Sequence, residues 1–161
     1  CVLTSGLDGA RWVKLDSLHL TLRFIGDVST RDAADLDAAL STIMEPAFNL
    51  RCLGLGHFGK GGKVRALWAG IAPNDGLSRL QDKVERAAVR AGFGDEGRKF
   101  KPHITIARFR GRKPRNLGDY LNVHGAFSTA LFPVSSFTLF ESHMGHGGSH
   151  YIPLTNYSLT A

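Results

Sequence analysis

The sequence predicts an α+β fold, and three observations carry that expectation. Two segments alternate apolar and polar residues with period two, "LHLTLRFI" (18–25) and "HITIARF" (103–109). Two others repeat apolar residues at helical spacing, and glycines and prolines punctuate the chain between short elements. With 161 residues, 43% hydrophobic and 21% charged, the chain can bury a sizeable core as one domain and is too apolar to stay disordered.

The elements follow in order. From Leu18 to Ile25, alternation puts Leu18, Leu20, Leu22 and Phe24 on a core face and His19, Thr21 and Arg23 on the other. Gly26-Asp27 ends this strand. Ser29 or Thr30 then caps a helix with apolar positions Ala33, Leu36, Leu40 and Ile43, stopped by Pro46. Phe48–Leu55 and Val64–Ile71 read as strands joined by the loop "GHFGKGGKVR".

Asn74 or Asp75 opens a second helix. Its apolar face carries Leu77, Leu80, Val84, Ala88 and Ala91, and its other face, with Arg79, Lys83, Glu85 and Arg86, is expected to be solvated. The loop "GDEGRKFKP" leads into the second alternating strand, with Ile104, Ile106 and Arg108 on one side and His103, Thr105 and Ala107 on the other. A third helix is expected near Asn116–Asn122. Closing strands Phe132–Phe140 and Tyr151–Leu159 flank a glycine-rich loop. The order strand, helix, strand, strand, helix, strand around two similar strands suggests two related halves.

Net charge +6 and a pI near 9.7 lean toward an anionic partner. No run of eighteen apolar residues exists, so no membrane-spanning helix is expected. Cys1 and Cys52 are too few for a disulfide framework, and a reducing, cytoplasmic setting is the expectation. The chain begins with Cys, so the true N-terminus lies open.

The chemistry resides in a repeat. His19-Leu20-Thr21-Leu22 and His103-Ile104-Thr105-Ile106 share the pattern His-x-Thr-apolar. Residues i and i+2 of a strand project from one face, about 6.5–7 Å apart. One such pair on a half-exposed strand is ordinary. Two, each on the polar side of a matching strand, suggest two imidazoles and two hydroxyls converging on one site. Imidazoles titrate near neutrality, so one can accept a proton while the other donates one. Hydroxyls and nearby cations can hold phosphoryl oxygens as charge develops.

These motifs resemble those of the two-histidine (2H) phosphoesterases, and the match is nearest the RNA 2′,3′-cyclic phosphodiesterases, also called 2′-5′ RNA ligases. The resemblance runs through "ARWVKLDSLHLTLRFIGDV", "LGLGHFGKGGKVRALWAGI", "KVERAAVRAGF", "RKFKPHITIARFR" and "LFESHMGHGGSHYIPL". It implies a bilobal α+β fold with two antiparallel sheets, outer helices and a central cleft. It also implies metal-free hydrolysis of a terminal 2′,3′-cyclic phosphate to a 2′-phosphate, with 2′-5′ ligase activity as an accompaniment. By the same resemblance His19 is the proton donor, His103 the proton acceptor, and Thr21 and Thr105 bind phosphate oxygens. Arg108, just after the second motif, is a candidate to steer the phosphate. Family members usually start with a further strand and helix, whereas only "CVLTSGLDG" precedes Arg11-Trp12 here.

Other residues invite other readings. Arg23 shares the alternation face of His19 and Thr21 and could reach the site. Phe58 and Tyr151 could stack on a base, although packing is the simpler role. His143, His146 and His150 lie in the glycine-rich loop with only Glu141 nearby, a poor frame for zinc. "GKGGK" lacks the Walker spacing. The expectation is therefore no metal, no cofactor, and a monomer acting on an RNA end. Two rivals remain: a small cyclic nucleotide or ADP-ribose 1″,2″-cyclic phosphate as substrate, or an RNA-end binding module without turnover.

Overall fold

A computed structural model describes residues 3–110, 114–145 and 148–160. In chain order its elements are β1 (Arg11–Trp12), a 3₁₀ turn (Leu15–Ser17), α1 (Thr30–Ser41), β2 (Phe48–Leu50), β3 (Cys52–Phe58), β4 (Ala66–Ile71), α2 (Asp75–Arg90), β5 (His103–Arg108), α3 (Leu117–His124), β6 (Phe132–Val134), β7 (Ser136–Gly145) and β8 (Gly148–Ser158). All strand pairings between these elements whose direction is resolved are antiparallel, and the class is α+β as expected.

The chain divides into two compact units, each assembled from three separate stretches. The first comprises residues 1–21, 50–73 and 101–131. Its sheet runs β1-β5-β4-β3, so the second histidine strand lies between two neighbours. One sheet face packs against α3: Val64, Leu67, Ala107, Phe109, Leu117 and Tyr120 are all buried in one cluster. Burial and the Tyr120 hydroxyl's bond to the Leu3 carbonyl tie the chain's first residues to α3.

The second unit comprises residues 22–49, 74–100 and 132–161. Leu36 and Leu40 of α1, and Leu80, Val84, Ala87 and Ala88 of α2, bury against Phe137, Tyr157 and Leu159 of the β7–β8 segment. Both helices start as the sequence suggests. The Ser29 hydroxyl accepts from the Asp32 amide, and the Asn74 side chain accepts from the Leu77 amide. The Tyr157 hydroxyl donates to Asp37, fastening β8 to α1.

The polar face of α2 is not simply solvated. Lys83 and Arg79 donate to Glu45 at 2.7 Å and 2.9 Å, and Glu45 is only 1% exposed. Glu85 is engaged by Arg23. α1 ends at Ser41, with Thr42 as its C-cap, before the expected stop at Pro46 and leaving Ile43 beyond it, so Glu45 reaches Arg79 and Lys83 of α2 by tertiary geometry that periodicity does not report.

This triad makes a pH prediction. The Lys83 hydrogen bond, then Arg79, hold the Glu45 carboxyl below its ordinary value of 4.5, outweighing burial, which pushes it up. A folded-state pKa below the unfolded one adds stability that is complete above the unfolded value and is lost as pH falls through the folded one. Thermal melts from neutral pH into the acid range should show Glu45→Gln less stable than wild type at neutrality by about 1–3 kcal/mol. Its melting temperature should also fall less steeply on acidification. Parallel pH dependences for the two proteins would remove Glu45 from the account.

Two strand expectations need correction. Leu18–Ile25 is not a regular strand: only Leu20 bridges, to Ile104. The 3₁₀ turn interrupts the segment before it, and after Thr21 the chain passes into the other unit, where Leu22 and Ile25 pack. The alternation also inverts. Phe24 is 68% exposed, while the Arg23 side chain is 7% exposed and ion-paired. The glycine-rich "loop" is largely a hairpin, with β7 and β8 running to Gly145 and Gly148 and His143 opposite His150. His146 lies outside the described residues.

Candidate active site

The site grows from the register of two segments. β1 pairs with β5 through Arg11 opposite Arg108 and Trp12 opposite Ala107. After the 3₁₀ turn the chain returns to β5 at the antiparallel Leu20–Ile104 bridge. Carrying that register one residue either way sets His19 opposite Thr105 and Thr21 opposite His103. Residues opposite one another share a face, so each motif's histidine stands beside the other motif's threonine. The bridge thus brings the two His-x-Thr segments together at one point of the sheet.

Both rings are held alike. His19 Nδ1 lies 2.9 Å from the Ser17 carbonyl oxygen, and His103 Nδ1 lies 2.7 Å from that of Lys101. A carbonyl oxygen only accepts, so Nδ1 carries the proton in each ring. Each histidine is thus oriented by the backbone two residues before it. His19, His103 and Thr105 are half-buried and Thr21 is exposed, which suits groups that must meet a ligand from solvent.

The face around His103 is aromatic. Trp68 is the cross-strand partner of Thr105, and Gly56 of Trp68. Phe58 meets the His103 ring edge-on at 4.8 Å between centroids, and Trp68 lies 6.1 Å from it. Lys101 Nζ sits 5.7 Å from the Phe58 centroid and 5.0 Å from that of Trp68. Gly56 exists for this stack: a Cβ there would lie 2.3 Å from Trp68 ring atoms. Phe58 therefore packs on the catalytic candidate rather than standing clear as a base-stacking surface.

Arg108 is placed differently from its alternation. The β4–β5 register shifts between Leu67 and Trp68, so β5 carries one extra residue near Ile106. Ala107, opposite Leu67, stays in the core, and Arg108, opposite Ala66, emerges on the face of Trp68, Thr105 and His103. Simple alternation had set Arg108 on the other side from His103. Arg108 is exposed and flanks the motif face.

Other residues singled out by the sequence have settings of their own. Arg23 belongs to the second unit, where its guanidinium binds Glu85 at 2.7 Å and 2.8 Å and also donates to the Gly94 carbonyl. Tyr151 is half-exposed, its ring edge-on to Phe140 at 6.3 Å. His143 lies 3.3 Å from Glu141, both exposed. Among the described residues no group of three or more His, Cys, Asp or Glu could hold a metal ion. Cys52 is buried, and that burial pushes its thiol up, away from nucleophilic use.

Sequence reasoning missed Trp68 and Lys101. Alternation in "ALWAGI" separates Trp68 from Leu67 and Ala69, but only the strand order sets it beside Thr105. Lys101 precedes His103 by two residues, as Ser17 precedes His19, and that shared spacing was readable.

An α+β fold that brings two His-x-Thr segments together at the Leu20–Ile104 bridge agrees with what comparison with known proteins gives. The chain belongs to the 2′-5′ RNA ligase superfamily, whose family model matches residues 7–146. Among its relatives, the RNA 2′,3′-cyclic phosphodiesterase of Aeropyrum pernix is 36% identical over 141 residues, covering 86% of this chain and 80% of that protein. The RNA 2′,3′-cyclic phosphodiesterase of Escherichia coli is 30% identical over 154 residues, 95% of this chain and 82% of that one. The crystal structure of E. coli LigT complexed with 3′-AMP matches with a TM-score of 0.74 at 30% identity, over 96% of this chain and 83% of that one. A Thermus thermophilus structure matches with a TM-score of 0.75 at 27% identity, over 94% and 82%.

Proposed function

We propose that this chain is an RNA 2′,3′-cyclic phosphodiesterase that opens a terminal cyclic phosphate to a 2′-phosphate by paired-histidine acid–base catalysis. The observation that carries this reading is the antiparallel juxtaposition of the two His-x-Thr segments at Leu20–Ile104, with both Nδ1 atoms committed to backbone carbonyls. Relatives that carry this activity in their names cover most of the chain.

The steps balance without an added co-reactant. His103 Nε2 takes a proton from water as the water oxygen bonds to phosphorus. The bond from phosphorus to O3′ breaks, and His19 Nε2 delivers a proton to the departing oxygen. Protons return to their starting sites through solvent. Thr21 and Thr105 hydroxyls donate to the non-bridging oxygens, and Arg108 offsets their charge. The assignment of donor to His19 and acceptor to His103 follows the family resemblance, because the local geometry treats the two rings alike.

The test uses an RNA oligonucleotide ending in a 2′,3′-cyclic phosphate, incubated with protein and excess chelator. The expected product is a terminal 2′-phosphate, formed at the same rate with and without chelator. A 3′-phosphate product would reverse the direction of ring opening, and loss of turnover in chelator would overturn the metal-free mechanism. Binding without turnover in either condition would favour the RNA-end binding module. Faster turnover of ADP-ribose 1″,2″-cyclic phosphate than of any RNA end would move the substrate to the small-molecule class.

A further inference from the structure

Where β1, β5 and the β3–β4 turn meet, a cavity of about 460 Å³ is lined by Arg11, Lys63, Val64, Arg65, Arg108 and Phe109. Four of its six lining residues are cations and none is acidic. Arg11 and Arg108 stand directly opposite one another across the β1–β5 pair. Like charges directly opposed on strands destabilise a sheet, so such a pair points to an anion that offsets it. Four cations elsewhere, Arg23, Arg79, Lys83 and Arg98, each meet a carboxylate. Among the described residues, none of the four lining cations forms an ion pair with a carboxylate.

The extra residue in β5 turns Arg108 to the side of Thr105 and His103, and Arg108 lines the cavity as well. Arg108 lies three positions beyond Thr105, a run of about 10 Å along an extended strand. That reach suits a second phosphate on the same strand of nucleic acid, beyond the one bound by the two threonines.

We propose that this basic cavity binds internucleotide phosphates upstream of the cyclic end, making the substrate an oligonucleotide rather than a mononucleotide. The proposal rests on the cyclic phosphodiesterase reading and adds the length requirement to it. Arg11, Lys63 and Arg65 lie outside the chemistry proposed above, so their loss should weaken oligonucleotide use alone.

The test compares kcat/KM on a nucleoside 2′,3′-cyclic phosphate with that on short oligoribonucleotides sharing the same cyclic end. Wild type should favour the oligonucleotides by about tenfold or more. The triple variant Arg11→Ala, Lys63→Ala, Arg65→Ala should keep the mononucleotide rate and lose most of that gain. The double variant Arg11→Lys, Arg65→Lys, with Lys63 retained, should keep the gain, which separates charge from folding defects. Fluorescence anisotropy with an oligonucleotide ending in a 2′-phosphate should show the log–log salt slope shallower by about 2 in the alanine variant. A length gain that survives in the alanine variant, or an equal fall on both substrates, would overturn the proposal. Failure of wild type on every cyclic end would strike the phosphodiesterase reading instead, and the anisotropy salt slopes would still decide the cavity.

Discussion

His103→Ala should lower kcat on a cyclic-phosphate-ended RNA by about 10²–10⁴, the range that one positioned proton-transfer group supplies. His19→Ala should cost a similar factor. The double variant should cost little more than either alone, because both imidazoles act in one concerted displacement. Neither change should unfold the protein, because both rings are half-buried rather than part of either unit's buried core. Wild type should show a bell-shaped pH–rate profile, since one imidazole must be neutral while the other is charged. Each single variant should keep only one limb of that bell in its residual activity. The measurement is steady-state turnover across pH, with circular dichroism confirming the fold. Near-wild-type kcat in either folded variant would sink the paired-histidine mechanism.

The polar and apolar halves of this site differ in how legible they were. His-x-Thr twice, each time in an alternating segment, could be read directly, because side-chain direction on extended chain depends only on residue spacing. Pairing of the two segments could not, because register is a property of two strands and is set by the Leu20–Ile104 bridge. Arg108 shows the same limit more sharply. Its face depends on a register shift opposite Leu67 and Trp68, which no periodicity in "HITIARF" announces.

Helices were the most legible elements. Ser29 and Asn74 cap where side-chain chemistry requires, and buried positions follow the apolar spacing. The polar face of α2 was the exception: its partners, Glu45 and Arg23, come from distant stretches of chain. Long-range ion pairs leave no local pattern. The extended β7–β8 hairpin was underestimated for a related reason, since Gly145 and Gly148, of a kind that usually marks loops, are here paired across the strands.

Arg23→Met should destabilise the fold by about 3 kcal/mol, the loss expected when one partner of a buried ion pair is removed. For a chain of this size that corresponds to a melting temperature lower by about 6–12 °C. The reason is geometric. Arg23 is 7% exposed, bridges both Glu85 oxygens, approaches Glu96 at 3.7 Å and donates to the Gly94 carbonyl. Without it, Glu85, only 20% exposed, loses its guanidinium partner, Glu96 keeps Arg98 alone, and the link from residue 23 to the 94–96 loop is lost. Adding Glu85→Gln should recover part of the deficit, with a coupling energy of about 0.5–3 kcal/mol in the double-mutant cycle. Turnover per folded molecule should stay within about twofold of wild type, far from the loss expected at His19 or His103. The opposite pattern, an unchanged melting temperature with a collapse of kcat, would return Arg23 to the polar face of His19 and Thr21. The alternation of "LHLTLRFI" would then describe that segment's chemistry better than its salt bridges do.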